Sequence, residues 1–278
     1  MTVELEEVAH RIAQDLSFTF DRRLGQGAFK TTFLIRDSDG HELALKIFKA
    51  GSDPQRIVRE VRTMARCSHR HIVQIHAFAV IEHASSQYCW LTEEYLPGKT
   101  LNEGCIDRGL LDPDAVRRIA IELSNALDYL AGIGIVHRDI KPDNIMFRED
   151  GSTVLVDFGL VRDLNDSSLT LTWANQGPGT PLFAPPEQLN NQKDMIDWRA
   201  DQFSLAVTLI MASFGRHPYS RDGERTEAAI NRVAQNGELD EGFVSWAQSA
   251  QLDALIRMAK AWPAQRYRTP QELIAAWV

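Results

Sequence analysis

The sequence predicts an α+β fold of two lobes, a small one rich in strands and a larger one rich in helices. Three observations carry that expectation. Residues 18–95 read mainly as strands, residues 100–278 read mainly as helices, and Pro97-Gly98 breaks the chain between them. A strand lobe that feeds a helical lobe through so short a break implies a cleft between the two. The boundaries expected are a helical extension over 1–17, a first lobe over 18–96 and a second over 97–278.

Each element has its own signal. The helical pattern before residue 18 reads either as a dimer contact or as a small extension packed on the first lobe. Thr31–Arg36 and His41–Phe48 are β-rich, and Asp37-Ser38-Asp39-Gly40 is a hairpin turn. Ser52-Asp53-Pro54-Gln55 starts a helix with proline in its first turn and Ile57, Val61 and Met64 on one face. Strands follow over Ile72–Ile81 and Gln87–Glu94. Beyond the break, Asp112-Pro113 opens an amphipathic helix striped by Val116, Ile119, Leu123, Leu127 and Leu130, ended by Gly132 and Gly134. Leu205 to Met211 is apolar nearly all round and belongs in the centre of its lobe. Thr269-Pro270-Gln271-Glu272 reads as a capping box opening the last helix.

Composition narrows the class. Of 278 residues, 44% are apolar and 24% charged, an ordinary soluble balance, and the net charge of −8 argues against general nucleic-acid binding. Three scattered cysteines, Cys67, Cys89 and Cys105, have neither zinc spacing nor an even count for disulfides, which points to a reducing, cytoplasmic setting. No run of about 18 apolar residues is present, so no transmembrane segment is expected. The acidic start, with Glu4, Glu6, Glu7 and Asp15, is unlike a signal peptide.

Several segments carry chemistry. Gly25 and Gly27, in Leu24-Gly25-Gln26-Gly27 between two strands, would let backbone N–H groups approach phosphate oxygens. Lys46 follows on the next strand in Ala44-Leu45-Lys46. Glu60 lies on the first helix and could pair with it. His137-Arg138-Asp139-Ile140-Lys141-Pro142-Asp143-Asn144 and Val156-Asp157-Phe158-Gly159 concentrate acids, an amide and a lysine.

These last two segments resemble the H-R-D-x-K-P-x-N catalytic loop and D-F-G metal loop of eukaryotic-type (Hanks-type) serine/threonine protein kinases, in wording close to the bacterial members. The resemblance covers about residues 18–278. It implies a protein kinase-like bilobal fold with ATP between the lobes, and transfer of the γ-phosphoryl of Mg·ATP to Ser/Thr hydroxyls of proteins. Asp139 would accept the substrate's proton, Lys141 would neutralise the migrating group, and Asn144 and Asp157 would hold Mg²⁺, or Mn²⁺ in its place. Lys46, paired with Glu60, would hold the phosphates. Adenine would lie between Leu24, Thr32 and Ala44 on one side and Met146 on the other, with backbone bonds at Glu94 and Leu96. Gly179-Thr180-Pro181-Leu182-Phe183-Ala184-Pro185-Pro186-Glu187 resembles the end of an activation segment. Thr180 would touch Asp139 and Lys141, Glu187 would pair with Arg266, and Asp201 would receive bonds from the catalytic-loop backbone.

The sequence departs from that pattern in places. Lys30 stands for the third loop glycine, Thr32 for a valine, Phe183 for a tyrosine and Pro185 for an alanine. The gatekeeper position, normally apolar or threonine, falls on Glu93, or on Thr92 if the strand bulges by one residue. A carboxylate facing inward there needs a partner. Lys46 is the obvious one, in competition with Glu60; a Glu93→Met variant with unchanged activity and nucleotide affinity would refute that idea.

Arg138 and Arg162 resemble the basic pair that receives an activation-segment phosphate, which points to autophosphorylation at Ser167, Ser168, Thr170 or Thr172, in trans within a homodimer. The alternatives are a pseudokinase-like nucleotide-binding scaffold and a small-molecule phosphotransferase on the same fold.

Overall fold

The computed structural model describes residues 2–27, 30–49, 57–58, 61–62, 64–157 and 181–278. The chain divides into two compact units that meet in sequence at Pro97 and Gly98.

The first unit is built on a five-stranded antiparallel sheet. Its strands are β1 (Thr19–Gln26), β2 (Lys30–Arg36), β3 (Glu42–Phe48), β4 (Ile75–His83) and β5 (Ser86–Glu94), in spatial order β1-β2-β3-β5-β4. The β2–β3 hairpin turns where expected. Asp37 Oδ1 accepts from the backbone N–H groups of Asp39 and His41, both at 2.9 Å, and Gly40 takes the left-handed φ of 87° that closes the turn. The predicted helical face of Ile57, Val61 and Met64 is buried.

One face of the sheet is covered by α1 (Thr2–Asp15). Leu5, Val8, Ala9, Ile12 and Ala13 recur at helical spacing. They pack into one core with Phe33, Ile35, Leu45, Ile47, Tyr88 and Trp90, every second residue of the central strands. The residues before 18 are therefore an integral layer of this unit. Around the apolar seam, Tyr88 Oη donates to Glu4 and the His10 ring lies 3.9 Å from that of Phe20.

The second unit is helical, with α2 (Leu101–Arg108), α3 (Pro113–Gly132), α4 (Pro186–Leu189), α5 (Trp198–Phe214), α6 (Thr226–Ala234), α7 (Glu241–Ser249), α8 (Asp253–Met258) and α9 (Pro270–Ala275), and with one small hairpin of β6 (Ile145–Phe147) and β7 (Thr153–Leu155). Asp112 caps α3 by accepting from Ala115 N–H at 2.8 Å, and the predicted stripe from Val116 to Leu130 is buried. α5 is buried on nearly every side, as its all-round apolar sequence requires.

The capping box expected at α9 is only half formed. Thr269 accepts from Glu272 N–H at 3.2 Å, but the Glu272 carboxylate accepts from Arg268 N–H, one residue earlier than a closed box requires. A complete box instead opens α2, where Thr100 and Glu103 satisfy each other's backbone N–H groups.

Gly98 lies against β6. The neighbouring Lys99 carbonyl accepts from Phe147 N–H at 3.0 Å, and a Cβ built on Gly98 would stand 1.8 Å from the Phe147 carbonyl oxygen.

Candidate active site

In the first unit, register decides which side chains share a face. Thr32 lies opposite Lys46 and Lys46 opposite Leu91; one rung along, Leu34 lies opposite Ala44 and Ala44 opposite Glu93. Side chains of paired residues leave the same side of a sheet, so Thr32, Ala44, Lys46, Leu91 and Glu93 form one face. Phe33, Leu45 and Thr92 point to the other, toward α1. The β3–β5 pairing runs without a register shift, so Glu93, and not Thr92, shares the face of Lys46.

Lys46 Nζ pairs with Glu93 Oε1, and both side chains are 8% exposed. Glu60 lies outside the described residues. Gly25 and Gly27 stand exposed at the end of β1 and just beyond it, with Gly27 N–H donating to Lys30 C=O and Lys49 Nζ donating to Gly27 C=O, each at 2.8 Å. Leu24 sits at a pairing irregularity of β1 and is partly exposed. Glu94 is tied to Gln74 by two bonds, its N–H donating at 2.9 Å and its carboxylate accepting at 3.0 Å, while Leu96 is buried.

In the second unit, the predicted catalytic loop leads into β6. Arg138 has φ 65° and Asp157 φ 58°, left-handed values that cost a non-glycine residue about 1–3 kcal/mol and persist only when neighbours enforce them. The enforcement is visible at Arg138. Asp201, buried on α5, accepts from His137 N–H at 2.7 Å and from Arg138 N–H at 2.8 Å. On the other side, Gln188 Nε2 donates to the Arg138 carbonyl at 3.2 Å. Burial pushes the Asp201 carboxyl up to about 7, against the downward pull of the two amide donors.

His137 supports the next residue. Asp139 N–H donates to His137 Nδ1 at 3.3 Å, and Nε2 lies 3.2 Å from the Val156 carbonyl, which assigns the proton to Nε2 and makes Nδ1 an acceptor. Burial pushes this imidazole down to about 4, so it stays neutral and keeps both bonds.

The Asp139 carboxylate gathers its neighbours. Lys141 Nζ lies 3.0 Å from Oδ2, and Asn144 Nδ2 donates to the same oxygen at 3.1 Å and to the Asp139 carbonyl at 2.8 Å. Asn144 Nδ2 also lies 3.5 Å from the Asp157 carbonyl oxygen, and Val156 N–H donates to the Asn144 carbonyl at 3.0 Å. With its nitrogen so committed, Asn144 presents Oδ1 as the atom for a cation. That amide oxygen and the Asp157 carboxylate are hard oxygen donors of the kind Mg²⁺ takes, so the residues fit the metal. Met146, on β6, is half-buried and bridged to Thr100.

The supporting residues come together as expected. Arg266 meets Glu187 through two bonds of 2.6 and 3.0 Å, both side chains being fully buried, and spends its other donors on the carbonyls of Lys260, Ala261 and Arg199. Thr180, Phe158, Arg162, Ser167, Ser168, Thr170 and Thr172 lie outside the described residues.

Two supporting residues escaped sequence reasoning. Gln188 follows Glu187 directly, and among the polar residues of that turn nothing in the sequence singled it out. His217 is buried, places Nε2 3.0 Å from the Leu182 carbonyl and accepts from Tyr219 N–H at Nδ1. Among the described residues no helix is long and apolar enough to cross a membrane.

Comparison with known proteins adds to this geometry. The family model described as "Protein kinase domain" matches residues 18–278. The chain is 30% identical over 263 residues to serine/threonine-protein kinase PknB of Mycobacterium tuberculosis, covering 91% of this chain and 41% of that protein. It is 28% identical over 269 residues to the probable serine/threonine-protein kinase PknB of Corynebacterium glutamicum, covering 93% and 41%. To serine/threonine-protein kinase AfsK of Streptomyces griseus it is 31% identical over 198 residues, covering 71% and 24%. The chain thus spans between about a quarter and two fifths of the length of these relatives. Among solved structures, Rad53 1-466 in complex with AMP-PNP superposes with a TM-score of 0.72 at 24% identity, over 94% of this chain and 65% of that one, a likeness of fold.

Proposed function

This chain belongs to the protein kinase domain family, and on that premise we propose that it is a serine/threonine protein kinase acting on protein substrates. The observation that carries the reading is the single carboxylate of Asp139, with Lys141 at 3.0 Å and Asn144 at 3.1 Å from one of its oxygens. That is a base flanked by a cation and by an amide whose free oxygen suits a metal.

Asp139 orients the acceptor hydroxyl and takes its proton, and Lys141 balances charge beside it. Asn144 Oδ1 and the Asp157 carboxylate would hold Mg²⁺, with Mn²⁺ able to serve, and Lys46 would hold the nucleotide phosphates. Bound Mg·ATP supplies the phosphoryl group and the metal charge that neutralises it. Leu24, Gly25, Gly27, Thr32, Ala44, Glu94, Leu96 and Met146 are assigned to the nucleotide, and Thr180 to the acceptor. Lys141, the names of the relatives and the Pro181–Glu187 segment favour Ser/Thr residues of proteins over tyrosine or small molecules. We place residues 18–96 and 97–278 as the two lobes of one kinase domain, working in the cytoplasm, where ATP is supplied. Cys67, Cys89 and Cys105, none of them in a disulfide, suit that setting. Autophosphorylation at Ser167, Ser168, Thr170 or Thr172, in trans between two copies, is part of the proposal.

The test is transfer from labelled ATP with Mg²⁺ to a generic basic protein, beside the Asp139→Asn variant. Loss of the base should slow transfer about 10²–10⁴-fold. Undiminished transfer by that variant would remove Asp139 from its role. Nucleotide binding without any transfer, to itself or to the basic protein, would favour the scaffold reading.

A further inference from the structure

Lys46 and Glu93 stand on neighbouring strands, β3 and β5, in a register that leaves little freedom. Ala44 faces Glu93 and Lys46 faces Leu91, so the two charged side chains are diagonal neighbours on one face of the sheet. Their ion pair is almost fully withdrawn from water.

We propose that Glu93 is a positioning residue for Lys46, holding its ammonium in place from within the sheet while nucleotide binds and leaves. The proposal rests on the kinase reading and deepens it.

Two physical arguments favour a lasting partner over a competitor that the phosphates must evict. If Lys46 left for a phosphate, Glu93 would remain as a buried carboxylate stripped of its counter-ion, the costly half of any broken buried pair. And eviction is unnecessary. An ammonium carries three N–H donors, so a bond to Glu93 Oε1 and a bond to a phosphate oxygen are compatible. Fixing the flexible four-carbon stem of a lysine beforehand spares the ordering that binding would otherwise require. The resemblance assigns this anchoring to Glu60. Here the sheet itself supplies a carboxylate, placed by backbone pairing between two central strands.

The experiment compares wild-type protein, Glu93→Gln and the control Thr92→Val, which alters the neighbouring residue on the opposite face. A fluorescent ATP analogue reports affinity, phosphorylation of a basic protein reports kcat and KM for ATP, and thermal unfolding reports folding. Glu93→Gln keeps the shape but loses the charge. It should bind nucleotide roughly tenfold more weakly, with KM for ATP raised in step. Thr92→Val should match wild type in both. If Glu93→Gln unfolds early, the pair Lys46→Met/Glu93→Met restores an uncharged core and should fold without binding nucleotide. Equal or tighter nucleotide binding by Glu93→Gln would overturn the inference while leaving the kinase reading intact. Wild-type protein that binds no ATP would overturn both.

Discussion

Gln188 donates its side-chain amide to the backbone carbonyl of Arg138 at 3.2 Å, so the turn that carries Glu187 also grips the residue before Asp139. Because Arg138 is held in a left-handed conformation, slackening one grip should let the loop relax and move the Asp139 carboxylate. Gln188→Ala is expected to lower kcat about tenfold, or about 1.4 kcal/mol of barrier. KM for ATP should change little. Steady-state kinetics with varied ATP checks the split.

Arg266 and Glu187 form a pair with no access to solvent. Removing one partner strands the other, so Arg266→Ala should cost about 3–5 kcal/mol of stability. The double variant Glu187→Gln/Arg266→Met should recover part of the loss. Chemical denaturation of the purified proteins measures both.

The buried histidines make stability sensitive to acid. His217 is pushed down to about 4 by burial, as is His137. An unfolded chain binds these protons near pH 6.5 and the folded chain only near 4, so stability is lost as pH falls between those values. For His217 the loss is on the order of 3 kcal/mol at most. Asp201 acts in the opposite sense. Its folded carboxyl takes a proton near 7 and an unfolded one near 3.8, so acidification through that range favours folding. His217→Gln, which keeps a donor and an acceptor, should flatten the wild-type decline in unfolding temperature from pH 6.5 to 4.

α1 should matter to folding as much as any strand does. Ile12, 1% exposed, belongs to the core that it forms with the sheet. Ile12→Ala is expected to cost about 2–4 kcal/mol, read from thermal or urea unfolding. An unchanged midpoint would mean the helix is not docked in solution.

Local signals carried much of the architecture into the sequence. The resemblance assigned Thr32, Ala44 and Lys46 to the nucleotide, and the β2–β3 register puts them on one face. The resemblance paired the catalytic loop with Asp157, and Asn144 Nδ2 does lie 3.5 Å from the Asp157 carbonyl. Non-local choices were harder to read. The apolar stripe of α1 was visible as a helix, but nothing in it says that Phe33, Leu45 and Trp90 receive it, since that contact joins segments far apart in the chain. Glu93 against Thr92 depended on whether β5 bulges, and only pairing with β3 decides that. Gln188 and His217 act on backbone carbonyls, which have no letter in a sequence. The Thr100–Glu103 box did have one, whereas the same pattern at Thr269 marked a true helix start but closed only half of its box.

Gly98 sits so near the Phe147 carbonyl that even one added carbon would collide with it at 1.8 Å. Backbone cannot withdraw here as the tip of a flexible side chain would. The position therefore has no room for a side chain. Any descendant of this gene that lost the glycine would first have to pull β6 away from the strand of chain beside it, and β6 begins immediately after Asn144. A glycine outside the catalytic loop thus helps fix where the strand that leaves that loop can run.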